Sequence, residues 1–65
     1  MNRLEMKGNW TELKGQIKEK WGELTDDDIA RIDGKRDQLV AAVQKRYGVA
    51  LSAAEREIDT WLDNK

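Results

Sequence analysis

Apolar residues recur every three or four positions through the first third of the chain, at Met6, Trp10, Leu13, Ile17, Trp21 and Leu24. At 100° per residue they fall within an arc of about 80°, so the spacing predicts an amphipathic helix with one apolar stripe. Glu5, Glu12, Glu19 and Glu23 lie opposite the stripe, Lys7, Lys14 and Lys18 flank one edge, and Lys20 flanks the other. Residues 1–4, ahead of the stripe, are expected to be disordered.

Within this segment runs a repeat of period seven. Glu5-Met6-Lys7-Gly8-Asn9-Trp10-Thr11, Glu12-Leu13-Lys14-Gly15-Gln16-Ile17-Lys18 and Glu19-Lys20-Trp21-Gly22-Glu23-Leu24-Thr25 share glutamate at the first place and glycine at the fourth, and the third copy exchanges its apolar and lysine positions. Gly8, Gly15 and Gly22 therefore align on one polar flank. A glycine costs about 0.5–1 kcal/mol relative to alanine in a helix interior, so the three together cost about 2 kcal/mol if all lie inside. Such a helix is marginal alone. It needs packing of Trp10 and Trp21, or it frays.

Leu24-Thr25-Asp26-Asp27-Asp28-Ile29 reads as a helix start. The Thr25 hydroxyl is placed to accept from the Asp28 backbone N–H, the aspartates suit the positive end of the helix dipole, and Leu24 can staple against Ile29. Ile29, Ile32, Leu39, Val40, Val43 and Tyr47 would form one continuous face if residues 26–47 were a single helix. Asp33-Gly34 is also a turn dipeptide, however, and a break there is favoured. Gly48 is suited to the left-handed position after a helix, and Lys45 and Arg46 suit the last turn. Ser52-Ala53-Ala54-Glu55 reads as a second capping box, opening a last helix whose apolar edge is Ala54, Ile58, Trp61 and Leu62.

Proline is absent and strand-type alternation is nowhere sustained. The expected fold is all-α, a small bundle of three to four short helices forming a single domain over residues 1–65. A chain of this size buries only about 60% of its unfolded surface, enough for one modest core.

Composition narrows the chemistry. Without cysteine or histidine, the chain has no disulfide, no thiolate nucleophile, no imidazole base and none of the usual zinc ligands. The remaining hydroxyls have no imidazole to activate them, and no catalytic residue, cofactor or metal site is expected. The longest apolar run, Leu39-Val40-Ala41-Ala42-Val43, is far short of the roughly 20 residues that span a bilayer. Residues 1–7 lack the apolar core of a secretory signal, so a cytoplasmic location is expected. The 12 basic and 13 acidic side chains nearly cancel, which argues against nucleic acid as a partner.

Asp26-Asp27-Asp28 could suggest calcium, but an EF-hand loop opening at Asp26 would need a glycine where Arg31 stands and a glutamate where Asp37 stands. Helix capping explains the run instead. Trp10, Trp21 and Trp61 are ordinarily core residues, although a tryptophan left partly uncovered would mark a docking face. The candidate partner-binding set is Trp10, Lys14, Lys18 and Trp21 on the first helix, set against the plainer reading of Lys14 and Lys18 as a solvated edge. An alternative is a nucleic-acid-associated regulatory module, in which the helices around Gly48 act as a helix-turn-helix-like pair with Lys35, Arg36, Lys45 and Arg46 on phosphates. A homo-oligomer seamed along the heptads is a further possibility, but Lys20 interrupts the repeat and a monomer is expected.

Gly8-Asn9-Trp10, then Lys14-Gly15-x-Ile17-Lys18-Glu19-x-Trp21-Gly22-x-Leu24-Thr25-Asp26-Asp27-Asp28, then Gly34-Lys35-Arg36-Asp37-x-Leu39, Arg46-Tyr47-Gly48 and Ala54-Glu55-x-Glu57 together resemble the CsbD-like family. The resemblance covers nearly the whole chain. It implies a small, helical, cytoplasmic bacterial protein of a general stress-response group, with no established enzymatic activity and no functional residues to carry over. The leading expectation is a non-enzymatic protein that binds or protects other macromolecules weakly, through its glycine-weakened first helix.

Overall fold

The computed structural model describes residues 6–64, so residues 1–4, expected to be disordered, lie outside the described part. A short 3-10 turn at Lys7–Asn9 leads into four helices, α1 (Trp10–Lys20), α2 (Asp26–Ile32), α3 (Arg36–Tyr47) and α4 (Leu51–Asp63). No strand occurs among the described residues. The backbone of α3 runs close to both α2 and α4, whereas α1 meets the others mainly through its side chains.

One core joins all four helices. Leu13 and Ile17 enter it from α1, Ile29 and Ile32 from α2, Leu39, Val40 and Val43 from α3, and Ala54, Ile58 and Leu62 from α4, with Met6, Trp21 and Leu24 supplied by the connecting segments. All six positions of the N-terminal stripe therefore reach the core, Trp10 only partly. They do not lie on one helix. α1 stops at Lys20, and Trp21 leaves the helical region at φ −114°, ψ 75°. Leu24 N–H then donates to Trp21 O at 3.0 Å, closing a turn through Gly22. Only Gly15 sits inside α1, since Gly8 belongs to the 3-10 turn and Gly22 to this connection. The conformational cost expected for three helical glycines thus falls to that of one, about 0.5–1 kcal/mol.

Thr25 caps α2 reciprocally. Its Oγ1 accepts from Asp28 N–H at 3.1 Å, and Asp28 Oδ2 accepts from Thr25 N–H at 3.1 Å. The chain breaks between α2 and α3, where Asp33 (φ 45°) and Gly34 (φ 78°) are both left-handed. Gly34 is required twice over. Its φ disfavours any side chain, and a Cβ there would lie 2.8 Å from the Lys7 Cα, so the α2–α3 turn is pressed against the N-terminal 3-10 turn. Gly48, at φ 64°, ends α3 as its position suggests.

The Ser52 capping box does not form. α4 begins two residues earlier than that box requires, at Leu51, after an extended Ala50 that makes no side-chain cap. Glu55, which would reach back to Ser52, instead faces Arg36, with Oε2 3.7 Å from Nη1. Arg36 also donates to both oxygens of Asp59, at 2.7 and 2.9 Å, pinning the start of α3 to α4.

Candidate functional site

The departure of Trp21 from helical geometry builds the most distinctive cluster on the molecule. Its side chain turns inward, 3% exposed, and meets Trp61 edge to face, with centroids 5.1 Å apart and ring planes at 75°. That arrangement sets the positive edge of one indole against the negative face of the other. The buried Trp21 Nε1–H donates to Glu57 Oε1 at 2.7 Å, so the ring keeps a polar partner without surrendering its burial. Lys20, the last residue of α1, places Nζ 5.3 Å from the Trp21 ring centroid. This is within the range of a cation–π attraction.

Around this cluster runs a groove along one side of α4. Its first part, about 250 Å³, has Trp21, Val43 and Ala54 behind it and Lys20, Tyr47, Val49, Ala53 and Glu57 around it. Past Lys20 and Glu57 it opens into a shallower trough of about 450 Å³ bounded by Arg56, Thr60, Trp61 and Asn64. The two parts share Lys20, Ala53 and Glu57 and therefore adjoin. Tyr47, Val49 and Leu51, at 40%, 37% and 53% exposure, are the large hydrophobic residues left uncovered among those described. Tyr47 and Val49 line the first part of the groove, and Leu51 follows two residues on. The Tyr47 hydroxyl is held by accepting from Glu23 N–H at 3.1 Å.

The charges along the groove differ in their commitments. Among the described residues, neither Lys20 nor Arg56 has a carboxylate within ion-pair distance, whereas one oxygen of Glu57 already accepts from Trp21. Chemically the groove offers apolar contact with Lys20 beside both parts, and Arg56 with hydroxyl and amide groups in the second. No grouping of three or more metal-ligating side chains occurs among the described residues.

The four residues singled out in the sequence are dispersed. Trp10 is half-buried against the core, Lys14 is exposed, and Lys18 is exposed and paired with Asp26. Only Trp21 reaches the groove, as part of its buried wall. Of the other groove residues, sequence reasoning read Trp61 as core unless partly uncovered, Tyr47 as part of an apolar face and Lys20 as a flank of the stripe, and it passed over Val49, Leu51 and Glu57 as site residues. One signal was present: Tyr47, Val49 and Leu51 bracket the Gly48 stop, where the helices end, and Tyr47, expected on the face of Ile29 to Val43, is left uncovered there. Of the four cations considered for phosphate contact, Arg36 is held by Asp59 and Arg46 by Asp28, leaving Lys35 and Lys45 exposed.

Residues 5–56 match the profile of a family described as CsbD-like. The chain is 56% identical over 61 residues to "UPF0337 protein YjbJ" of Escherichia coli O6:H1, covering 94% of this chain and 88% of that protein. It is 53% identical over 64 residues to "UPF0337 protein ECA0631" of Pectobacterium atrosepticum, covering 98% and 93%. Against "UPF0337 protein PA4738" of Pseudomonas aeruginosa the identity is 46% over 63 residues, covering 97% of each. These names state no reaction, ligand or partner. The profile match takes in the apolar end of the groove and stops short of Trp61.

Proposed function

The chain belongs to the CsbD-like family, and from that premise we propose that it is a non-enzymatic general stress-response protein of the bacterial cytoplasm. In this reading it binds other proteins weakly and covers apolar surface that stress exposes on them. The observation that carries the reading is the uncovered edge of Tyr47, Val49 and Leu51 leading into the Trp21 groove, on a chain of which 38% is charged. Uncovered apolar residues beside an apolar groove on a small, highly charged domain mark a contact site. Its modest size fits weak and broad association better than a tight, specific complex.

The first helix adds to this reading. α1 has Gly15 in its interior and joins the bundle largely through Leu13 and Ile17, so it is the element that heat or dehydration releases first. Its release would uncover the Trp21 face of the core and enlarge the binding surface. Binding is thus centred where the end of α1 meets α4, with Lys14 and Lys18 as a solvated edge nearby. The nucleic-acid alternative loses support because Arg36 and Arg46 are already committed to carboxylates.

The test is suppression of aggregation. A heat-labile client enzyme is warmed with the wild-type protein, or with a Tyr47→Ser/Leu51→Ser variant of unchanged thermal midpoint, and light scattering is followed. Wild-type protein is expected to delay scattering and the variant to lose most of that effect. Equal protection by the two would overturn the assignment.

A further inference from the structure

Resting on that reading, we infer that the groove along α4 receives an extended segment of the partner protein in which apolar side chains stand next to carboxylates. From Ala53 to Asn64 the groove follows about three turns of helix, roughly 16 Å at 1.5 Å per residue, the span of about five residues of extended chain. Lys20 and Glu57 stand beside both parts, and the second adds Arg56. At Tyr47 and Val49 the lining is apolar and partly uncovered, and it gains by burying an aliphatic side chain. At Lys20 and Arg56 two cations face the same trough with no carboxylate of their own.

Charge selects among occupants. Glu19 lines an adjoining hollow beside Lys20 and Trp61; among the described residues Glu57 is the one acid lining the groove's two parts, and its Oε1 accepts from the Trp21 indole. A basic segment would meet Lys20 and Arg56 with only this partly engaged carboxylate to answer it. An acidic segment places its carboxylates against both cations, while Thr60 and Asn64, in the same trough, supply hydrogen-bonding groups for its backbone. The contacts to the two cations are solvent-exposed and therefore confer preference and salt sensitivity more than strength. A surface of this kind holds unfolded acidic segments briefly and releases them.

The experiment titrates isotope-labelled protein with two capped five-residue peptides, one of two leucines and three glutamates and one of two leucines and three lysines, and follows the indole N–H resonances. The acidic peptide is expected to shift the Trp21 and Trp61 signals but not that of Trp10, and to bind about tenfold tighter than the lysine peptide at low salt, falling to near parity at high salt. Lys20→Ala/Arg56→Ala, checked for an unchanged melting midpoint, is expected to abolish the preference. Equal affinities at low salt, shifts confined to Trp10, or no shift at all would overturn the inference. So would tighter binding of a single-stranded oligonucleotide, or a dimer in sedimentation that the same double variant dissolves, which would assign the groove to nucleic acid or to a second copy. Failure here with Leu51-dependent suppression of aggregation intact sinks the partner chemistry alone; loss of that suppression sinks the broader reading.

Discussion

Arg46 Nε donates to Asp28 Oδ2 at 2.7 Å, so the last turn of α3 is tied to the same carboxylate that closes the capping box at the start of α2. The two ends of the α2–α3 hairpin are thereby joined opposite its Gly34 turn. Asp28 performs three tasks at once: it accepts from the Thr25 backbone, compensates the helix dipole and neutralises Arg46.

This arrangement makes stability depend on pH in acid. The Arg46 guanidinium and then the Thr25 backbone N–H lower the Asp28 carboxyl from 3.8 to about 2. A group depressed in the folded state contributes stability that is fully present above its unfolded value and lost as the pH falls from about 4 toward 2. Asp28→Asn should therefore unfold at lower urea than wild type at pH 7, with the two midpoints converging between pH 4 and 2. Parallel midpoints across that range would show that the charge is not what matters.

Glycine substitutions should act in opposite directions at two sites. Gly15→Ala places a methyl in open space inside α1 and should stabilise by about 0.5–1 kcal/mol. Gly34→Ala combines a left-handed φ, costing about 1–2 kcal/mol, with a clash against the Lys7 backbone, and should lower the thermal midpoint by several degrees. Urea denaturation of both variants reads the two signs directly.

Two ion pairs should differ in weight. Lys18 and Asp26 are both largely exposed, so Lys18→Ala should change stability by no more than about 0.5 kcal/mol. Arg36 grips Asp59 through two donors, and both side chains are mostly covered. Arg36→Ala should cost about 1–3 kcal/mol. Comparable losses in the two variants would contradict the geometry.

Hydrogen exchange should rank the helices. Amides of α1 are expected to exchange through local opening, faster than those of α3, which packs between α2 and α4. If α1 proved as protected as α3, release of this helix as a source of binding surface would have to be abandoned.

The fold was legible wherever one local rule acted without competition. Thr25 and Asp28 form their cap because the Arg46 guanidinium that shares Asp28 Oδ2 leaves the carboxylate free to accept from Thr25 as well, and Gly48 ends α3 because the left-handed position there suits glycine. Local reasoning failed where a distant residue made a better offer. The stripe from Met6 to Leu24 has helical spacing throughout, yet Trp21 leaves the helix toward Trp61 and Glu57, far away in the chain. The Ser52 box lost its glutamate to Arg36. The groove was illegible for a related reason. Its lining comes from the ends of α1 and α3 and from one side of α4, and each contributor, taken alone, reads as core, loop or solvated surface.

The edge-to-face pairing of Trp21 with Trp61 also gives the protein an optical property. Two indoles with centroids 5.1 Å apart couple their electronic transitions, and one directly follows the last residue of α1 while the other belongs to α4. Their joint circular-dichroism band therefore reports whether α1 is seated on the bundle. A Trp10→Phe variant would isolate that band, letting the unlabelled protein signal the docking of its own first helix while it dries, warms or engages a client.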